Sequence, residues 1–331
     1  MTPTKSIAYC CPFVPPEWIA AHGFVPMRVS PSIATARLRP LIAAGVCSYA
    51  KAFVSEICDP QQSFAAVIFT TTCDQMRRAG EVAQEAQETP VFLMTVPATW
   101  QTATSVALYR EELKRLGRFL VRLGGHAPSD AQLAEQAELF DCQRRTLRER
   151  RGVIDGETFA EHLRKFQTTN QLPDLPSAVP ASRDMVRLAL AGGPLRRDDG
   201  SIFSWIRQAG GQVVLDATES GEMTLPPPFS RRQLQDDPLG EIVDAYFGQI
   251  PHAMRRPNSQ LYHYFQTALE AKQIQGVIWQ QTTWCDIWAA EAQRFAEWCP
   301  VPVLQWDTGD ERTDHARIAT RLEAFVEMLQ S

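Results

Sequence analysis

Three cysteines stand where a strand-like run gives way to a helix-like one: Cys47 in Gly-Val-Cys-Ser-Tyr, Cys73 in Thr-Thr-Cys-Asp and Cys285 in Thr-Trp-Cys-Asp. The last two settings repeat one grammar: an apolar run, threonine, Cys-Asp, then a helical stretch. Each such turn offers one thiolate, and thiolates are the ligands of iron–sulfur clusters. Three of them on a four-iron cube leave one iron with an exchangeable ligand, where a substrate oxygen would be polarised as at a Lewis acid. The spacing is unlike the short ferredoxin or zinc repeats, so the residues alone leave a second reading open. Buried cysteine is also an ordinary small apolar core residue.

The other reactive side chains divide in the same way. Cys58, Cys142 and Cys299 read as structural. Adjacent strand residues face opposite ways, so at most one of Cys10 and Cys11 is expected to look into a cleft, as a fourth ligand or second-shell sulfur, while the other packs in a core. Asp74 and Asp286 follow their cysteines where a carboxylate would cap a helix, and those helix amino ends would favour negative charge nearby. Six histidines (His22, His126, His162, His252, His263 and His315) show no metal-binding spacing and read as structural. Gly192-Gly193-Pro194 suits a tight turn after a strand or a phosphate cradle. Arg255-Arg256 would meet phosphates or water. Trp279, Trp284, Trp288 and Trp306 gather around the last cysteine as core or pocket wall. No Gly-x-x-x-x-Gly-Lys-Ser/Thr loop or Gly-x-Gly-x-x-Gly turn occurs, so nucleotide hydrolysis and dinucleotide hydride transfer have no visible home.

The elements that must position these groups have the rhythm of an α/β protein. Apolar runs at 7–10, 24–29, 65–70 and 91–96 read as buried strands, and Pro15-Pro16-Glu17 opens a helix that Gly23 ends. Over 102–123, Val106, Tyr109, Leu113, Leu116, Leu120 and Leu123 form one helical stripe. Residues 129–182 turn polar and helical, then Pro-rich, and read as a linker or cap. A second unit follows, with strands at 185–191, 212–216, 276–280 and 301–306 and helices at 201–209, 239–247, 260–271, 286–297 and 314–329. The expected architecture is two doubly wound, Rossmann- or flavodoxin-like parallel sheets, in domains 1–128 and 183–331, facing a central cleft. Ligand sites in such sheets lie beyond the carboxyl ends of the strands, where Cys73 and Cys285 fall.

Composition narrows the function classes. With 331 residues, 44% apolar, the chain can bury two cores. A formal charge of -5 gives no basic stripe for nucleic acid. No apolar stretch suits a membrane span or an export signal, so a cytoplasmic location is expected. There, eight cysteines are not a disulfide framework.

The run Tyr9-Cys10-Cys11-Pro12-Phe13-Val14-Pro15-Pro16-Glu17 through Ala21-His22-Gly23-Phe24-Val25-Pro26-Met27-Arg28-Val29 resembles the opening of the 2-hydroxyacyl-CoA dehydratase and benzoyl-CoA reductase family. The likeness continues through Cys47-Ser48-Tyr49-Ala50-Lys51, Thr72-Cys73-Asp74 with Arg77-Arg78, Pro90-Val91-Phe92, Gly192-Gly193-Pro194-Leu195, Asp216, Trp284-Cys285-Asp286 and Thr320-Arg321-Leu322-Glu323-Ala324-Phe325. What this resemblance implies is a 4Fe–4S cluster held by Cys47, Cys73 and Cys285 between two α/β domains. It also implies a homodimer or a heterodimer with a homologous subunit, and a separate ATP-hydrolysing iron–sulfur activator that injects one low-potential electron. The substrate would be an acyl-CoA, dehydrated through a ketyl radical, or another small molecule that is reduced. By the same resemblance Ser48 would donate to a substrate carbonyl or the cluster, and Glu56 would act as a general base or be an exposed helix residue. The chain is shorter than typical subunits of that family and has no recognisable adenine pocket. Two alternatives stand beside the dehydratase: a double-cubane reductase of small non-CoA molecules, and a clusterless α/β assembly subunit.

Overall fold

Runs of branched and aromatic residues form β1 (Ser6–Tyr9), β2 (Val25–Arg28), β3 (Ala66–Thr70), β4 (Val91–Met94), β5 (Val186–Gly192), β6 (Gly211–Thr218), β7 (Gly276–Thr282) and β8 (Val303–Thr308). The computed structural model describes residues 5–34, 42, 45–174, 185–308 and 315–331. The strands pair, all parallel, into two four-stranded sheets ordered β2-β1-β3-β4 and β6-β5-β7-β8. This is the expected α/β class with two doubly wound sheets. In each sheet the winding reverses beside its first strand, between β1 and β3 and between β5 and β7. Loops leaving the carboxyl ends diverge there and open a crevice.

Alternation along the strands feeds a core on each sheet face. Ile7, Tyr9 and Ile68 pack with Leu113 and Leu116, whereas Ala8, Val67 and Phe69 pack with Phe53 and Ala79. In the second sheet Ala189, Ala191 and Trp279 face one core and Leu188, Leu190 and Ile278 the other. The helix Ala103–Arg122, capped by Thr102, buries Tyr109, Leu113, Leu116 and Leu120 as its stripe predicts, while Val106 near its free amino end stays 38% exposed.

The polar stretch after residue 129 forms two helices, Asp130–Arg150 and Gly156–Thr169. The second lies against β2 of one sheet and β6 of the other. Part of the Pro-rich connection expected after it, residues 175–184, lies outside the described residues. Beyond β6 the chain returns to the first sheet before forming β7: Phe229, Leu239, Ile242, Tyr246 and Phe247 join the core around Ile7 and Leu116. Among the described residues no helix is long and apolar enough to cross a membrane.

Candidate active site between the sheets

Cys47, Cys73 and Cys285 each occupy the N-cap position of a helix, respectively Ser48–Ile57, Asp74–Ala86 and Asp286–Trp298. The first amides of a helix have no acceptor within it, and an N-cap side chain faces them. Cys73 Sγ accepts the Met76 N–H at 3.3 Å. The sulfur therefore does the capping expected of Asp74, whose side chain points outward toward Arg77, 3.4 Å away. The amides of Ala50 and Tyr49 face Cys47, and that of Trp288 faces Cys285, outside full hydrogen-bond geometry but near enough to favour negative sulfur.

All three line one cavity of about 400 Å³ between the sheets. Cys47 and Cys285 meet across it: a hydrogen-bonding interaction with Cys285 holds Cys47 below the usual thiol range and pushes Cys285 well above it. Burial raises Cys73 to about 12. Cys285 packs against cores of both sheets. Cys10 and Cys11 both border the cavity, where at most one was expected. They still pack on opposite faces of the first sheet, Cys10 with Phe53 and Phe69 and Cys11 with Tyr9 and Ile68, but both stand just past the end of β1. Burial pushes the Cys10 thiol well up and raises Cys11 to about 11. Cys58, Cys142 and Cys299 are not on this wall.

Ser48 and Glu56 lie elsewhere. Ser48 is buried and accepts Arg196 Nη1 at 3.2 Å, and Arg196 is itself held on Asp199 at 2.8 Å. Glu56 is buried too, accepting Arg197 Nη2 at 2.6 Å and the Ser32 amide at 3.4 Å. Both tie their helix to the turn after β5, and neither lines the cavity. Arg255 is buried between the rings of Phe13 and Phe247, at 4.4 and 4.6 Å, whereas Arg256 lines the cavity. Its Nη1 donates to the carbonyls of Ala253 and Arg255, each at 2.7 Å. Of the four tryptophans only Trp288 reaches the cavity; Trp279 and Trp306 are core, and Trp284 is 57% exposed with φ of 68°.

Two further groups share the wall: Glu219, which the sequence did not single out, and His252, which it read as structural. Glu219 immediately follows β6, and His252 enters from the segment before the helix Ser259–Ala271. Trp288 Nε1 donates to Glu219 Oε2 at 2.8 Å, and His252 Nε2 stands 3.2 Å from the same oxygen. Burial alone would raise the Glu219 carboxyl, but His252, Trp288 and Arg28 outweigh it and hold the group below the usual range. The available signal was position: Glu219 sits beyond a strand's carboxyl end, as the cysteines do.

The Gly192-Gly193-Pro194 turn sets this wall. Gly192 has φ of 113°, and a Cβ there would stand 2.0 Å from the Gln280 carbonyl oxygen. Its own carbonyl accepts the Glu219 amide at 3.0 Å. Gly192→Ala is expected to cost more than about 2 kcal/mol in urea unfolding, since left-handed strain and a backbone clash combine. Gly193→Ala, whose Cβ would make ordinary contacts of 3.4 Å or more, should stay within about 1 kcal/mol of the parent.

Known proteins resemble the chain along most of its length. A family model described as "2-hydroxyglutaryl-CoA dehydratase, D-component" matches residues 11–329. A protein of Escherichia coli (strain K12) described as "Putative dehydratase subunit YjiM" is 23% identical over 290 residues, covering 80% of this chain and 74% of the relative.

Proposed function

The chain belongs to the 2-hydroxyglutaryl-CoA dehydratase D-component family, and from that premise we propose that it is the iron–sulfur subunit of a dehydratase, with a 4Fe–4S cluster held by Cys47, Cys73 and Cys285. One observation carries this reading: three thiols, each at a helix amino end, line a single cavity at the switch points of two parallel sheets. Among the described residues no three His, Cys, Asp or Glu side chains converge closely enough for a single metal ion.

The group, when bound, supplies a Lewis-acidic iron with an exchangeable ligand and a one-electron store. The chain's own residues do the rest. The three thiols release their protons as they bind metal. Helix amino ends offset the negative charge gathered there. Met76, Val96, Ile287 and Trp288 give the cavity apolar walls that exclude water, and Arg256 offers a cation to an anionic group of the substrate. Ser48 and Glu56 act as struts that fix the Cys47 helix against the second sheet.

The electron comes from a separate ATP-hydrolysing activator, since the sequence has no phosphate loop of its own. A homologous subunit, identical or not, completes the enzyme, in keeping with the words "component" and "subunit" attached to its relatives. The substrate is an acyl-CoA thioester carrying a 2-hydroxyl group.

Anaerobic reconstitution with iron and sulfide tests this. About four irons per chain and a cluster signal in electron paramagnetic resonance are expected. About eight irons would instead indicate a double cube, and colourless protein with less than about one iron would identify a clusterless assembly subunit and end the proposal.

A further inference from the structure

We propose that Glu219 is the catalytic base of this cavity, and that His252 and Trp288 are the positioning residues that keep it charged and aimed. This deepens the dehydratase reading and rests on it. The Glu219 backbone is pinned twice: its amide donates to Gly192 O at 3.0 Å, and its carbonyl accepts Arg28 Nη2 at 2.8 Å. A rigid turn thus fixes where the carboxylate points.

Both side-chain partners converge on one oxygen, Oε2. His252 Nδ1 accepts the Met254 amide at 3.0 Å, so a neutral imidazole carries its proton on Nε2, the nitrogen that faces Glu219. The ring itself is buried with its edges against Phe13 and Trp288, at centroid distances of 5.4 and 5.3 Å. Glu219 Oε1 is left with no hydrogen-bond partner among the described residues, on a side chain 17% exposed that lines the cavity. A carboxylate with one oxygen hydrogen-bonded by Trp288 and faced by His252 at 3.2 Å, and the other open to the cavity, has the form of a base held ready for a carbon acid.

In an elimination of water the balance is simple. The activator's electron first makes the thioester carbonyl a ketyl, which expels the adjacent hydroxyl as hydroxide and leaves a radical beside the carbonyl. Oε1 then takes the proton that this radical acidifies on the next carbon, the C–H electron pair completes the alkene, and the single electron is handed back. The proton then passes from Glu219 to the hydroxide. One water is lost, with no net oxidation or reduction. The charged and titratable groups facing Glu219 are Arg28, Tyr49, His252 and the thiols of Cys10, Cys11, Cys47, Cys73 and Cys285.

The test is Glu219→Gln, a change of one atom with nearly the same shape. Reconstituted variant should carry the parent's iron and cluster spectrum, while water elimination from 2-hydroxyglutaryl-CoA in the presence of activator falls in kcat by about 100-fold or more, with KM within about threefold. A second readout needs neither cluster nor turnover. In cluster-free full-length protein labelled with carboxyl-¹³C glutamate, the resonance missing from Glu219→Gln identifies this group, and His252→Gln should move its titration upward by about one unit or more. Iron-replete Glu219→Gln that eliminates water within about threefold of the parent rate overturns the assignment, as does a Glu219 titration indifferent to His252. Failure of the dehydratase reading looks different, namely parent protein that takes up no iron, and the resonance measurement still decides the Glu219 question in that case.

Discussion

Cys285→Ser is expected to weaken cluster binding by more than about 100-fold, so that anaerobically reconstituted protein retains little iron and loses its paramagnetic signal. Even a residue behind a metal ligand is worth about 10- to 100-fold in affinity, and here the ligand itself is exchanged for a hydroxyl, which does not ionise to replace a thiolate. Cys285 is the most exposed to this test because, of the three cysteines, it alone comes from the second sheet. Its backbone is fixed by a 2.9 Å bond to the Thr282 carbonyl, and its sulfur meets Cys47 across the cleft. Loss of this thiol leaves Cys47 and Cys73, both from the first half of the chain. Cys142→Ser and Cys299→Ser, which change sulfurs away from the cavity wall, should keep the parent's iron content. Full iron in Cys285→Ser, or iron lost from Cys142→Ser, would mean that the cluster is not held by these three sulfurs.

The sheets were legible because strands buried on both faces write continuous apolar runs, and the intervening helices imposed parallel order. The three cysteines were legible because a strand, a short turn and a helix start leave a recognisable grammar around each. Ser48 and Glu56 show the limit of reading by proximity to a cysteine. A helix rises about 1.5 Å per residue, so Glu56 is carried about 12 Å along the axis from Ser48, away from the amino end that faces the cavity. Both side chains then meet the turn at Arg196 and Arg197. Glu219 and His252 were illegible for another reason. A lone Glu and a lone His, far apart in sequence, have no spacing signature, and only the return of the chain after β6 to the first sheet brings His252 beside β6. The same return hides a buried polar network that no local pattern announces.

That network supports the largest expected loss of stability. Arg144, from the helix Asp130–Arg150, bonds Glu17 at the start of the helix Pro16–Ala21, and both side chains are buried. Tyr246 Oη donates to Glu17 Oε2 at 2.9 Å, and Arg144 lies 4.9 Å above the Phe229 ring. Three segments remote in sequence are thus held by buried charges with little water to screen them, Asp141 also standing 3.9 Å from Arg144. Arg144→Ala removes the cation and leaves Glu17 in the interior with the Tyr246 phenol bonded to it, while Asp141 keeps Arg145 at 3.2 Å. A cost of about 3–5 kcal/mol is expected, read as a lowered urea midpoint with an unchanged slope. The cost belongs to the stranded carboxylate more than to the lost attraction, because the intact pair has already surrendered its hydration. Glu17→Gln combined with Arg144→Met should therefore recover most of the loss, since neither side chain then brings a net charge inside. If the double variant is as unstable as Arg144→Ala, the arginine matters through its packing against Phe229, and the ion pair contributes little.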